Sequence, residues 1–429
     1  MKRRSPLFFI FLTIFIDLLG IGIVLPLLPE YAKIVERSSW PWLADNRALI
    51  VGALTASYAL MQFLFAPILG ALGDRFGRRP VLLFSLFGAG LSYLVFALAE
   101  NLTFLGVEMV IGLLFLARIA AGITGASIST AQAYIADVTP PNERARGLGM
   151  IGAAFGLGFM LGPAIGGLLS NVSLQAPALF AAALSFANFA FGFFRLPESL
   201  PPEKRAQTVS RSLNPISRLA TVAGDARVQP FILGSMLLNL AFAGLQSNFA
   251  VYSDVRFGFG PQQNALVFAF IGLIAVIVQG FLIRKLVPQF GEARLAIAGL
   301  TLMTIGFVAT GLVTAAWMLF LAVGLVALGS GMVTPSLTSL VSQSVLATEQ
   351  GTTLGGVQAF TNLTMVVGPL LAGMLFDLIG PSAPYLIGAG LLASALAVLF
   401  GTLHSRLVAL PQPIATNANV TAEVGVHGD

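Results

Sequence analysis

The chain has no cysteine, which excludes disulfides, iron–sulfur clusters and thiolate zinc sites. Its two histidines, His404 and His427, lie at the C-terminal end, so neither a histidine metal site nor a histidine-based triad is available. Charge is scarce as well. Asp, Glu, Lys and Arg make up 10% of the 429 residues, against 57% hydrophobic. A water-soluble domain of that composition could not cover its apolar surface, so the solvent must be lipid and the fold class all-α integral membrane. There is no phosphate-cradling glycine loop and no nucleophile, base and orienting group in one cluster, so the sequence points to neither ATP use nor an enzyme. No cofactor and no metal is called for. The net charge of +5 fits loop arginines facing anionic headgroups better than nucleic acid.

Long apolar runs are what the chain has in plenty, and a run of about 20 residues spans a bilayer. Twelve are present, at 7–28, 48–70, 80–99, 104–136, 147–170, 177–195, 229–250, 262–286, 292–314, 316–342, 352–378 and 383–404. The first is too long for a signal-peptide core and lacks a small-residue cleavage site, so it is expected to be retained. A Pro-, Ser- and Arg-rich stretch at 196–228 divides the chain into a first half, 1–195, and a second, 229–405. The end, 406–429, is polar and expected to be a disordered tail. With the N-terminus inside, 18 Lys and Arg fall in cytoplasmic segments and four outside (Lys33, Arg37, Arg47 and Arg256). Both termini are therefore expected to be cytoplasmic.

The halves repeat. At an offset of 349 − 143 = 206, Glu143, Leu148, Gly149, Gly162, Pro163 and Gly167 fall on Glu349, Leu354, Gly355, Gly368, Pro369 and Gly373. Phe76-Gly77 has an echo in Phe290-Gly291. Two six-helix halves related by an axis along the membrane normal are a secondary-transporter architecture, with the substrate at mid-membrane between them.

Four constellations could carry function. GALGDRFGRRP, Gly70 to Pro80, reads as a tight charged hairpin between spans. Asp74 ends a helix where the dipole disfavours a carboxylate, and Arg75, Arg78 and Arg79 are at hand to compensate. That is the pattern of a latch made in one conformation and broken in another; a topology-setting loop is the plain alternative. Asp137 is a second acid at a helix C-terminus, with Arg144 and Arg146 just beyond. Asp17 lies about 15 Å into the first span, where a carboxylate needs a partner or a role. Arg118 is the sole basic residue inside any span and its natural partner; a static ion pair is the alternative. Gly158, Gly162, Pro163, Gly166 and Gly167 form a small-residue seam around a proline, suited to close helix packing. Among the neutral polar groups, Tyr58, Gln62, Asn239, Gln246, Gln279 and Gln358 suit the wall of a large, mostly apolar cavity. Glu108 reads as a loop-end acid.

G-x-L-x-D-R-x-G-R-R-P resembles the signature loop of the major facilitator superfamily. The run from Tyr58 to Leu86 resembles its tetracycline/proton antiporters, and the resemblance extends over residues 7–405. It implies a fold of twelve transmembrane helices and proton-driven export of small molecules. It also implies that Arg118 in R-x-x-x-G-x-x-G is proton-linked, and that GFMLGPAIGG is the antiporter motif on helix five. By the same resemblance Arg78 pairs with Asp137, and Asp74 faces the start of helix eleven near Gly351. The tetracycline exporters carry an acid where this chain has Ser92, a histidine where Ala275 falls and an acid near Met303, so their metal–drug recognition does not carry over. The expected function is thus a proton-coupled exporter of hydrophobic or amphipathic molecules in the cell inner membrane. Its partners are the cargo, protons and membrane lipids, and it is expected to work as a monomer. A sugar or metabolite exporter of the same fold, or an uncoupled sensor or lipid-handling protein, are the alternatives; the last should tolerate Asn at position 17.

Overall fold

In lipid the backbone must satisfy its own hydrogen bonds, and long apolar runs do so as helices. The computed structural model describes residues 6–24, 27–125, 128–139, 154, 157–158, 161–205, 222–345 and 350–408, and no strand occurs among them. The helices in order are α1 (Pro6–Val24), α2 (Leu28–Glu36), α3 (Pro41–Asp45), α4 (Arg47–Phe76), α5 (Arg78–Ala99), α6 (Val107–Gly125), α7 (Ile128–Val138), α8 (161–169) and α9 (Ala176–Arg195). There follow α10 (Gln229–Phe257), α11 (Pro261–Ile277), α12 (Ile283–Leu312), α13 (Ala316–Gln343), α14 (Gln350–Leu378) and α15 (Ala383–Val408).

Among the described residues, nine helical stretches are long and apolar enough to cross a membrane. One of them, Pro261–Leu312, has 52 residues and breaks at Gly291, where φ is 76°. At about 1.5 Å per residue it exceeds twice the hydrocarbon thickness, so it is two spans. Counting it as two, and adding α1 and the apolar run at 147–170, of which α8 is the described end, gives twelve.

Two differences from the sequence reading matter. The hairpin expected over Gly70–Pro80 narrows to the single residue Gly77, because α4 continues to Phe76 and α5 starts at Arg78. At φ 107° Gly77 reverses the chain alone, and the Glu198 carboxylate fills the place a Cβ would take. Gly291 repeats this conformation in the second half, with ψ 157° against 158° at Gly77. The other difference is the stretch between the first two apolar runs, to which the sequence assigns no element and which holds α2 and α3. Helix α2 is amphipathic: Ile34 and Val35 are buried while Glu36 is exposed.

Helix α5 packs against α6 and α9, α10 against α14 and α15, and α12 against α13 and α15. Helix α4 lies against α6 and also reaches across to α14. That crossing is tightest near the face bearing residues 28–46. A Cβ at Gly52 would strike the Pro369 carbonyl, and one at Gly373 would lie 2.7 Å from the Leu49 Cα. Toward the opposite face, which carries the Gly77 turn, a Cβ on Gly355 would meet nothing within 4 Å, while one on Gly356 would lie 2.8 Å from Val222.

Candidate functional site

Arg118 projects from the middle of the α6–α7 span, and its guanidinium lies 4.8 Å from the centroid of the Tyr58 ring of α4. The two glycines that follow it in sequence explain how that ring comes so close. A Cβ on Gly122 would collide with the Tyr58 carbonyl, and one on Gly125 would lie 2.8 Å from the Tyr58 hydroxyl. R-x-x-x-G-x-x-G is therefore a seat for a tyrosine, with the cation stacked on its face. Gln62, one turn on from Tyr58, donates to the Gly125 carbonyl at 3.0 Å and to the Tyr58 hydroxyl at 3.3 Å.

Asp17, half-buried in α1, lies within electrostatic range of the Tyr58 and Tyr93 hydroxyls, and so does Arg118. Tyr93 of α5 sits against Gly20, one turn from Asp17. The two opposite charges singled out in the sequence thus converge on a pair of tyrosines contributed by two other helices. Tyr93 was missed in the sequence, where the adjacent Ser92 drew attention as the position of an absent acid. Ser92 itself donates to the Gly88 carbonyl at 2.7 Å within α5. Met303 is fully buried, so it lines no cavity in this conformation.

The glycine seam is the packing surface of the first helix. A Cβ on Gly158 would lie 2.7 Å from the Leu18 Cβ, and one on Gly162 2.8 Å from the Gly22 Cα. Gly166 would meet the Ile23 carbonyl, and Pro163 reaches to 3.0 Å from a Cβ placed on Gly22. Gly158, Gly162 and Gly166 are four apart, so one stripe faces α1 immediately beside Asp17. Gly167 points elsewhere, toward Ala265 of α11.

At the Gly77 turn, Arg78 lies between two acids. It is 2.6 Å from Asp74 and 3.4 Å from Asp137, with its side chain only 10% exposed. Asp74 is 55% exposed and pairs with Arg78 within the turn. Arg79 donates to the Phe193 carbonyl at 2.7 Å, and Arg75 stacks on Phe76 at 5.1 Å. Arg144 and Arg146 lie outside the described residues. Glu198, unremarked in the sequence, accepts the backbone N–H of Arg78 at 2.8 Å and of Arg79 at 3.3 Å, capping α5. Ser199 donates to Asp137 at 3.0 Å. In the second half the echo has its polarity changed: Glu292, next to Gly291, accepts from Gln343 at 3.3 Å and Ser339 at 3.1 Å.

The remaining polar candidates are not drawn into one group. Asn239 donates to Ser235 and Gln358 to Asn362, each within its own helix. Gln246 is half-buried, and Gln279 is exposed in a π-helical turn, Val278–Leu282. Glu108 opens α6 and accepts from Ser38 and Ser39 at 2.8 and 2.9 Å, as suits a loop-end acid.

A family model described as Major Facilitator Superfamily matches residues 10–290 and 280–422. The chain belongs to that superfamily. It is therefore a multi-pass membrane transporter and not an enzyme, with the major facilitator fold of twelve helices in two related halves. It is 37% identical over 376 residues to the class C tetracycline resistance protein of Escherichia coli, covering 88% of this chain and 91% of that one. Multidrug resistance protein 2 of Bacillus subtilis is 30% identical, covering 88% and 90%. The crystal structure of the human organic anion transporter MFSD10 superposes with a TM-score of 0.70 at 28% identity, over 93% of this chain and all of that one. The D-xylose–proton symporter matches with a TM-score of 0.71 at 19% identity, a likeness of superfamily fold.

Proposed function

We propose that this superfamily member is a proton-coupled antiporter that exports hydrophobic or amphipathic small molecules by alternating access. The observation that carries the reading is the convergence of Asp17 and Arg118 on Tyr58 and Tyr93 in the membrane interior. A midplane carboxylate near a cation, with water able to reach it from one side at a time, can take up and release a proton. The second half offers no comparable charge: at the offset of 206, Gly324 stands opposite Arg118 and Gln343 opposite Asp137. Coupling is thus assigned to the first half, and the apolar second half suits uncharged cargo. Relatives named for tetracycline and multidrug resistance support a drug-like cargo.

The orientation follows from the cation bias. The N-terminus, the Gly77 turn, the 196–228 linker and the tail face the cytoplasm, and the face bearing 28–46 is outer. The tight α4–α14 crossing at Gly52 and Gly373 then lies toward the outer face. Inverted vesicles energised with a proton gradient, a panel of dyes and an internal pH probe test the reading. Dye accumulation should be accompanied by proton efflux. Dye movement with no proton movement would overturn the coupling, and proton-linked movement of sugars alone would favour a metabolite exporter.

A further inference from the structure

Helix α4 begins without a cap of its own. Its N-cap residue, Asn46, makes no side-chain bond to the helix start. The free N–H groups are taken instead by a residue 328 and 329 positions away: Asp377 of α14 accepts from Leu49 at 2.8 Å and from Ala48 at 3.3 Å. Asp377 sits in the last turn of α14, where its own helix dipole disfavours a carboxylate, while the N-terminus of α4 welcomes one. One carboxylate therefore resolves two misplaced groups, and its two bonds cross between the two halves.

The surroundings make this a clasp and not an incidental contact. Gly373 and then Gly52 bring the α4 and α14 backbones into direct contact over the next two turns inward from it. A second acid of the same kind lies nearby: Asp254, in the last turns of α10, pairs with Lys33 of α2 at 3.5 Å. Partial burial opposes the Lys33 ammonium, but Glu30 and Asp254 outweigh it and hold its pKa above the ordinary lysine value. Arg47 pairs with Glu36, tying α2 to the start of α4. At the offset of 206 the partner position of Asp377 is Asn171, so only the α4–α14 crossing carries the acid.

We propose that Asp377 is the positioning residue of an outer gate: its carboxylate, bound to the start of α4, holds the 28–46 face shut, and the transport cycle must release it to open that face. The inference rests on the alternating-access reading above. It gives α4 a carboxylate switch at each end, Asp377 received at its N-terminus and Asp74 presented from its C-terminus. Release leaves the Ala48 and Leu49 N–H groups to water, which opening of the face supplies.

The absence of native cysteine allows paired spin labels to report each face on the full-length transporter in nanodiscs. Trp42→Cys with Trp317→Cys spans the outer face, both sites being exposed; Phe194→Cys with Phe290→Cys spans the other. Wild type should show two distances per pair that exchange with pH or a transported dye. Asp377→Ala should raise the outer-long to outer-short ratio roughly tenfold, the scale of a lost charge-assisted bond, while shortening the inner pair. Asp377→Asn, which keeps one acceptor oxygen, should shift it less and serves if the alanine variant misfolds. An unchanged outer distance, or lengthening of both pairs together, overturns the gate while leaving alternating access standing. Failure of wild type to exchange at all overturns alternating access, and the gate with it.

Discussion

Glu198 holds Arg78 by its backbone, accepting that N–H at 2.8 Å, while the Arg78 side chain reaches past it to Asp74 and Asp137. The start of the central linker is thus built into the charge cluster beneath the first half. Tyr134, donating to the Pro197 carbonyl at 2.9 Å, pins the same stretch.

Removing the Glu198 carboxylate should uncap α5 and loosen the turn. Glu198→Ala is expected to lower stability by about 1–2 kcal/mol, the usual scale for a lost cap near a helix N-terminus. Glu198→Gln keeps an acceptor oxygen and should fall between the two. Thermal unfolding in detergent checks the stability, and dye transport in vesicles checks whether the turn's conformation matters to the cycle. Equal stability of Glu198→Ala and wild type would refute the capping role.

Arg78 should prove sensitive to geometry as well as charge. Its fork serves two acids at once, which a lysine ammonium cannot do at both distances. Arg78→Lys is expected to transport more slowly than wild type, and Arg78→Ala to lose transport while still binding cargo. Binding can be followed by fluorescence of a transported dye and transport by its accumulation. Full transport by the alanine variant would remove the cluster from the mechanism.

The spans were legible because about 20 consecutive apolar residues are a local signal, and the Gly77 turn because its residues are adjacent. Asp17 and Arg118 stood out because charge within a span is conspicuous against a lipid-matched background. What escaped notice was of another kind. Glu198 caps a helix 120 residues earlier, and Asp377 caps one 328 residues earlier. An acid beside a loop looks ordinary until the fold shows which helix start it meets. Tyr58 was visible only as a polar group in a span; that Gly122 and Gly125 form its seat depends on how α4 and α6 cross. Helices α2 and α3 drew no assignment because each is far shorter than a span.

Close packing at the glycine seam yields a contrast between neighbouring types of glycine. Gly162→Ala would place a Cβ 2.8 Å from the Gly22 Cα and the Leu19 carbonyl, backbone atoms that cannot step aside. Separation of α8 from α1 beside Asp17 is the expected result, with loss of transport and a lowered unfolding temperature. Gly112→Ala meets nothing within 4 Å and should be neutral or slightly stabilising, by up to about 1 kcal/mol in a helix. If both variants behave alike, the seam has no special role.

Proton coupling is the sharpest test of the proposed function. Asp17→Asn keeps shape and hydrogen bonding but cannot ionise, so cargo binding should persist while cargo-driven proton release disappears. Arg118→Ala removes the cation that faces Asp17 across the two tyrosines and should also stop turnover. Tyr58→Phe leaves the ring under the guanidinium, so the stacking survives and only the hydroxyl's bond from Gln62 is lost. It should retain much of the activity, whereas Tyr58→Ala, which unseats Arg118, should resemble Arg118→Ala. The measurement is proton release on adding a transported dye to purified protein in weakly buffered detergent, followed across pH. Proton release from Asp17→Asn with the wild-type pH profile would make Asp17 structural. Glu108 would then be the next acid to examine, although its bonds to Ser38 and Ser39 at the head of α6 give it a ready structural role.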